Sequence, residues 1–305
     1  MDLLSLRYFN EVVRQRSISK AASTLSVVQP ALTRRVQLLE ESLGAQLLMR
    51  HRRGVEPTEQ GSLVFERAEV LLRMAGEIES EVQSQINEPT GQIRFGFPPS
   101  VGLLFIGRLL SDFVPRHPRV TFYLQEGFSR SIRDSLLAGR IDVAIMSPEA
   151  DHPDLDAQFL FEEDLWLITR ASDWTFGNSK SLSPDVLRDR ELLLSSYLKL
   201  ALDRVSIERR LPFRIVVEAD SLSALREATR AGAGFFVTPH ISVERELESG
   251  EFRGAPVKGL TVSRALFQRR DRPPTRALQA FIAMIAVGTQ ELCARHPKRF
   301  RAVAS

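Results

Sequence analysis

The spacing of apolar positions changes three times along the chain. Leu3, Leu6, Phe9 and Val13 recur at helical spacing and predict a first helix with one buried face. Ser17 or Ser19 is placed to cap a short second helix over 20–26, built on Ala21, Ala22 and Leu25. After Val27-Val28 a third helix is expected. Pro30 falls in its first turn, where a missing N–H costs nothing. Leu32, Val36, Leu39 and Leu43 continue the apolar face, and Gly44 stops the helix. The other face offers Gln29, Thr33, Arg34 and Gln37 to solvent. Residues 46–50 and 54–56 flank the basic run Arg50-His51-Arg52-Arg53, which predicts a two-stranded wing turning at Gly54.

From Thr58 to the stop at Pro89-Thr90-Gly91 the text is one long helix. Val64, Ala68, Leu71, Ala75, Ile78 and Val82 are spaced 4, 3, 4, 3, 4, a two-helix seam that points to dimerisation. Beyond Gly91 strands and helices alternate. Strands are expected over 93–97, 120–125 and 141–145, with helices over 100–113 and 129–138 between and after them. A second such unit opens near 164–168 and continues through strands at 191–195, 215–218 and 235–239. A returning strand over 260–268 precedes a long helix over 275–295. This alternation predicts a mostly parallel sheet covered by helices. The expected divisions are 1–58, a linker helix over 59–90, and an α/β domain over 91–305. That domain divides into one lobe at about 91–162 plus 269–305 and another at about 163–268. The expected fold class is thus α/β with an all-α N-terminal module.

Composition narrows the class. Hydrophobic residues make up 43% of the 305 and charged residues 26%, the balance of a globular chain. No apolar run approaches the roughly 18 residues that span a bilayer, and the first residues carry no secretory signature, so no membrane partner is expected. The single cysteine, Cys293, excludes an intrachain disulfide and fits a cytoplasmic location. Residues 1–60 hold nine basic and six acidic side chains, an excess of three. The whole net charge of +3 therefore sits in the first fifth of the chain, where it favours a phosphate backbone as partner.

The stretch from Ser17 to Leu43 reads as helix–turn–helix. Small residues let the second helix cross the first closely, and its N-terminal turns offer polar groups to base edges. Gln29 can bond an adenine edge, and Arg34 can fork onto guanine. Pro30, Thr33 and Gln37 complete the presented face. Arg50, Arg52 and Arg53 would meet phosphates or the minor groove of double-stranded DNA from the wing. The phrases Leu6-Arg7-Tyr8-Phe9, Ser17-Ile18-Ser19-Lys20-Ala21-Ala22, Gln29-Pro30-Ala31-Leu32-Thr33, Leu47-Leu48-Arg50 and Pro57-Thr58-Gly61 resemble the LysR-type transcriptional regulators. So do Leu137-Gly139-Asp142-Ala144-Ile145 and Ala231-Gly232-Gly234-Pro239 further on. Phe95-Gly96-Phe97-Pro98-Pro99 is similar to the nitrogen-assimilation-control branch. The resemblance covers essentially the whole chain. It implies a winged helix–turn–helix, a linker helix that dimerises, and a bilobal effector domain like periplasmic solute-binding proteins. A tetramer, a small-molecule effector, often anionic, and RNA polymerase as a further partner are implied with it. Val28 departs from the family by lacking the hydroxyl that often caps the recognition helix. Leu48 replaces a frequent Phe.

Ligands of open α/β sheets sit beyond the carboxyl ends of strands, at helix N-termini whose free N–H groups favour anions. Ser100, Ser129 and Ser147 follow the first three strands. Ser195, Ser196 and Thr238 follow strands of the second unit. Sheet topology and the resemblance together make Ser100, Ser129, Ser147 and Thr238 the candidate effector-binding residues. The alternatives are a bilobal small-molecule-binding protein or an enzyme. No metal-ligand pair, nucleophile elbow, phosphate-cradling loop or complete dinucleotide fingerprint occurs. No cofactor, metal or catalytic residue is therefore expected, and Glu40-Glu41 and Glu162-Glu163 read as solvated faces.

Overall fold

The computed structural model describes residues 1–51, 54–86, 88–148, 152–188, 190–199, 202–203 and 212–302. The chain forms two compact units, Met1–Gly91 and Gln92–Ser305.

In the first unit, α1 (Leu3–Gln15) starts at Asp2, whose carboxylate accepts from the Ser5 N–H at 2.8 Å. Leu6, Phe9 and Val12 are its buried apolar positions; Leu3 is exposed and Val13 only half-buried. Ser17 caps α2 (Ile18–Thr24), accepting from Lys20 N–H. The break before α3 (Gln29–Leu43) is made by Ser26 at φ 54°, with Val27 N–H donating back to the Ala22 carbonyl. Leu32, Val36 and Leu39 are buried, whereas Leu43 is exposed at the last turn before Gly44. Strands β1 (Leu48–His51) and β2 (Gly54–Pro57) pair antiparallel as the wing. Gly54 is required there: Val55 N–H bonds the Arg16 carbonyl at 3.0 Å, and a Cβ on Gly54 would stand 2.6 Å from that oxygen.

The long helix α4 (Glu59–Ile86) is held to the wing at its start. Thr58 donates to the Gln46 carbonyl at 2.8 Å and accepts from Gly61 N–H at 2.9 Å. A Cβ on Gly61 would lie 2.0 Å from the Leu47 carbonyl, so only glycine lets the helix approach. Glu40, expected to be solvated, instead accepts from Leu47 and Leu48 N–H at 2.7 and 3.1 Å and fixes the chain entering the wing. Of the seam residues, Ala68 is buried in the core of this unit, where α4 packs on α1, and Val64 is packed against the same core. Leu71, Ile78 and Val82 stay 43%, 65% and 55% exposed.

Among the described residues the second unit is built on one nine-stranded sheet. Its strands are β3 (Gly91–Phe97), β4 (Val120–Glu126), β5 (Val143–Met146), β6 (Leu155–Arg170), β7 (Glu191–Leu194), β8 (Arg214–Glu218), β9 (Phe235–Pro239), β10 (Phe252–Arg269) and β11 (Phe300–Arg301). The order is β4-β3-β5-β10-β6-β9-β7-β8, with β11 beside β6. β3–β5, β7–β8 and β7–β9 are parallel, as the alternation predicts. The centre is not: β6 and β10 are long antiparallel strands that run through both lobes. The expected strands at 164–168 and 260–268 are parts of these two, cut short because Glu162-Glu163-Asp164 in β6 and Gly254, Pro256, Lys258 and Gly259 in β10 interrupt the apolar alternation. Ala265–Gln268 pair with β5, while Phe252–Pro256 pair with the stretch of β6 that carries β9. The return crossover therefore lies at a register shift beside Arg264, ahead of the expected 269.

One lobe packs Phe95, Phe113, Phe161 and Phe281 around its sheet; the other packs Leu165, Leu192 and Val237. The helix Arg276–Arg295 is capped by Thr275. By length and composition it could cross a membrane, but Phe281 and Ile285 are fully buried in the first lobe, which makes it a core helix.

Candidate nucleic-acid interface and effector cavity

Burying Leu32, Val36 and Leu39 turns the opposite side of α3 outward. Gln29, Pro30, Arg34 and Gln37 are exposed and Thr33 half-exposed, so the five expected DNA-binding residues of this helix are all accessible. Among the described residues Arg34 makes a single ion pair, with Glu41 at 3.4 Å, and both partners are more than 60% exposed. Such pairs are worth little and yield readily to a competing ligand. Val28 provides no side-chain cap, so the N–H groups of the first turn lack that bond. Arg50 lies in β1, opposite Val55. Its side chain, and Arg52 and Arg53 entirely, fall outside the described residues.

In the second unit the ends of β3, β7 and β9 converge on an inter-lobe cavity of about 40 Å³. Ser100, Ser129 and Thr238, three of the four expected residues, line it, together with Ser195, Tyr197, Phe128, Phe236 and Leu225. Ser147 does not. It is buried behind the side chain that dominates the site, Arg264. Arg264 lines the cavity while being only 4% exposed. Its guanidinium donates to Ser147 Oγ at 2.7 Å, to Ser100 Oγ at 3.0 Å and to Glu163 Oε1 at 3.2 Å. These bonds use three of the five N–H donors an arginine carries. Glu163 is equally buried, which corrects its reading as a solvated acid. Burial pushes its carboxyl above the ordinary glutamate range, and Arg264 pulls it partly back.

Arg264 and Glu163 carried a signal in the sequence. Val262, Arg264 and Leu266 alternate along β10, as do Phe161, Glu163, Leu165 and Leu167 along β6. The apolar members of both rows are buried, so a charge at either position has to face inward. Among the described residues, no group of three or more His, Cys, Asp or Glu side chains is placed to hold a metal ion.

Residues 3–62 match the model of the bacterial regulatory helix-turn-helix proteins of the lysR family, and residues 87–288 match the LysR substrate binding domain. The chain belongs to the LysR family. It is therefore a transcriptional regulator and not an enzyme. It is 32% identical over 244 residues to the nitrogen assimilation regulatory protein nac of Klebsiella aerogenes, covering 78% of each chain. With the transcriptional regulator BbuR of Bordetella bronchiseptica it shares 28% identity over 310 residues, 97% of this chain and 94% of that one. The structure of full-length CbnR complexed with its target DNA superposes with a TM-score of 0.57 at 25% identity, over 95% of this chain and 100% of the other.

Proposed function

We propose that this LysR regulator reads duplex DNA through Gln29, Pro30, Thr33, Arg34 and Gln37, with Arg50, Arg52 and Arg53 of the wing on the phosphates. Two chains pair through 59–90, within a homotetramer, and the complex acts on RNA polymerase in the cytoplasm. A small anionic metabolite between the lobes switches it, held by Ser100, Ser129, Thr238 and Arg264, with Ser147 orienting the guanidinium.

The observation that carries the anionic reading is Arg264. A guanidinium at the lining of a cavity whose other walls are hydroxyl and apolar groups is a built anion site, because carboxylates and phosphates match its planar fork. The present bonds leave two N–H donors for a ligand. A cavity of about 40 Å³ holds a few waters and no metabolite, so binding requires the lobes to move at the crossovers near Glu163 and Arg264.

The test is a footprint on upstream duplex, scanned with small carboxylates and phosphate esters one at a time. An anion should change the footprint of the wild type and leave that of Arg264→Met unchanged. Arg34→Ala should lose about 1–3 kcal/mol at one base pair and relax preference there. A uniform loss across sequences would remove Arg34 from base reading. A response only to uncharged compounds, or an undiminished one in Arg264→Met, would remove the anion.

A further inference from the structure

We infer that the sensing unit holds a second ligand site, beside the crossover of β6 and β10, shaped for a small zwitterion of the amino-acid class. A cavity of about 360 Å³ lies there, within the range that small-molecule sites occupy. It shares no lining residue with the inter-lobe cavity.

Its lining is ordered by charge. At the buried end stands Glu163, 4% exposed, with one carboxylate oxygen bonded to Arg264. In the same lining the rings of Trp166 and His240 meet edge to face, with centroids 4.6 Å apart. His240 is uncharged at neutral pH: burial first, and then nearby Arg299, hold it down to about 4. A carboxylate beside neutral aromatic rings attracts an ammonium group by ion pairing and by the ring quadrupoles together.

The rim has the opposite character. Arg299 is tied to Glu244 at 3.0 Å, and the Asp164 carboxylate to Arg301 at 2.7 Å. Lys298 lines the cavity, is exposed, and has no ion-pair partner among the described residues. An ammonium turned inward to Glu163 leaves a carboxylate free to meet Lys298. Leu104, Leu292 and Phe300, which also line the cavity, offer an apolar surface to the body of such a molecule.

The full-length protein titrated calorimetrically with each standard L-amino acid tests this. At least one should bind. Its N-acetyl form, which lacks the ammonium, and its methyl ester, which lacks the carboxylate, should each bind about tenfold or more weaker, 1.4 kcal/mol. Lys298→Ala should weaken binding by a similar factor, and Lys298→Arg should restore it. Lys298 is exposed, so neither variant endangers folding. Ser129→Ala, in the inter-lobe cavity, should leave this binding in place. The site is overturned if no amino acid binds at millimolar concentration, or if the N-acetyl form binds as well as the parent. It is overturned equally if Ser129→Ala abolishes binding that Lys298→Ala leaves intact. None of these outcomes bears on anion switching through Arg264, which the footprint decides.

Discussion

At the scale of single residues, the sensing unit is organised by two charges where its strand patterns call for apolar side chains. Taking an ion pair out of water costs several kcal/mol per ion, so Glu163 and Arg264 are no simple source of stability. Removing one partner is worse than removing both, because it strands the other charge. Arg264→Met and Glu163→Gln should each cost about 3–5 kcal/mol in urea unfolding, and the double variant should cost clearly less than their sum. Additive losses would mean that the two act separately. The pH dependence has a definite sign. Burial raises the Glu163 carboxyl above its unfolded value, and Arg264→Met removes the cation that opposes this. The extra stability of the protonated acid is then present at low pH and lost as pH rises through the raised value. Arg264→Met should therefore be penalised less near pH 5 than near pH 8. Ser100, Ser129 and Thr238 were legible in the sequence because strand ends are marked by turn chemistry. Arg264 was harder to see, since a basic residue in a strand reads as surface until its apolar neighbours at i−2 and i+2 are counted.

At the scale of elements, the period of the apolar positions carried most of the prediction and failed where charge broke it. The three short helices, the wing and the parallel βα units follow their patterns closely. β6 and β10 do not: Glu162-Glu163-Asp164 sits mid-strand, and the alternation is readable only on either side. Helix α4 is legible in a different way. Its 4-3 spacing does not say which apolar residues meet their own chain. Ala68, with Phe65 and Leu72 beside it, closes the core of the first unit, while Leu71, Ile78 and Val82 stay exposed. An exposed row at 4 and 7 residues suits a second copy of the helix. Ile78→Glu should lower the sedimentation coefficient and weaken operator binding by about 10²–10⁴, the advantage of linked binding heads. An unchanged sedimentation coefficient would show that another surface holds the chains together.

At the scale of the whole molecule, reading DNA and sensing a metabolite belong to different units, and coupling between them is a free energy that works both ways. If the metabolite changes duplex affinity by some factor, duplex must change metabolite affinity by the same factor. A ligand that bound both lobe arrangements equally would shift nothing. The differential contact proposed for this chain is the guanidinium of Arg264, tied through Ser100 to the end of β3 in one lobe and through Glu163 to the crossover. Ser100→Val keeps approximate shape and removes the hydroxyl that accepts from Arg264. It separates binding from switching in a way that Arg264→Met cannot, because the cation remains. The ratio of duplex affinities with and without the anion should fall towards one in Ser100→Val. The ratio of anion affinities with and without duplex should fall by the same amount, while the anion still binds. Equal wild-type ratios in the variant would show that the lobes are coupled to the reading heads by a route that does not pass through Ser100.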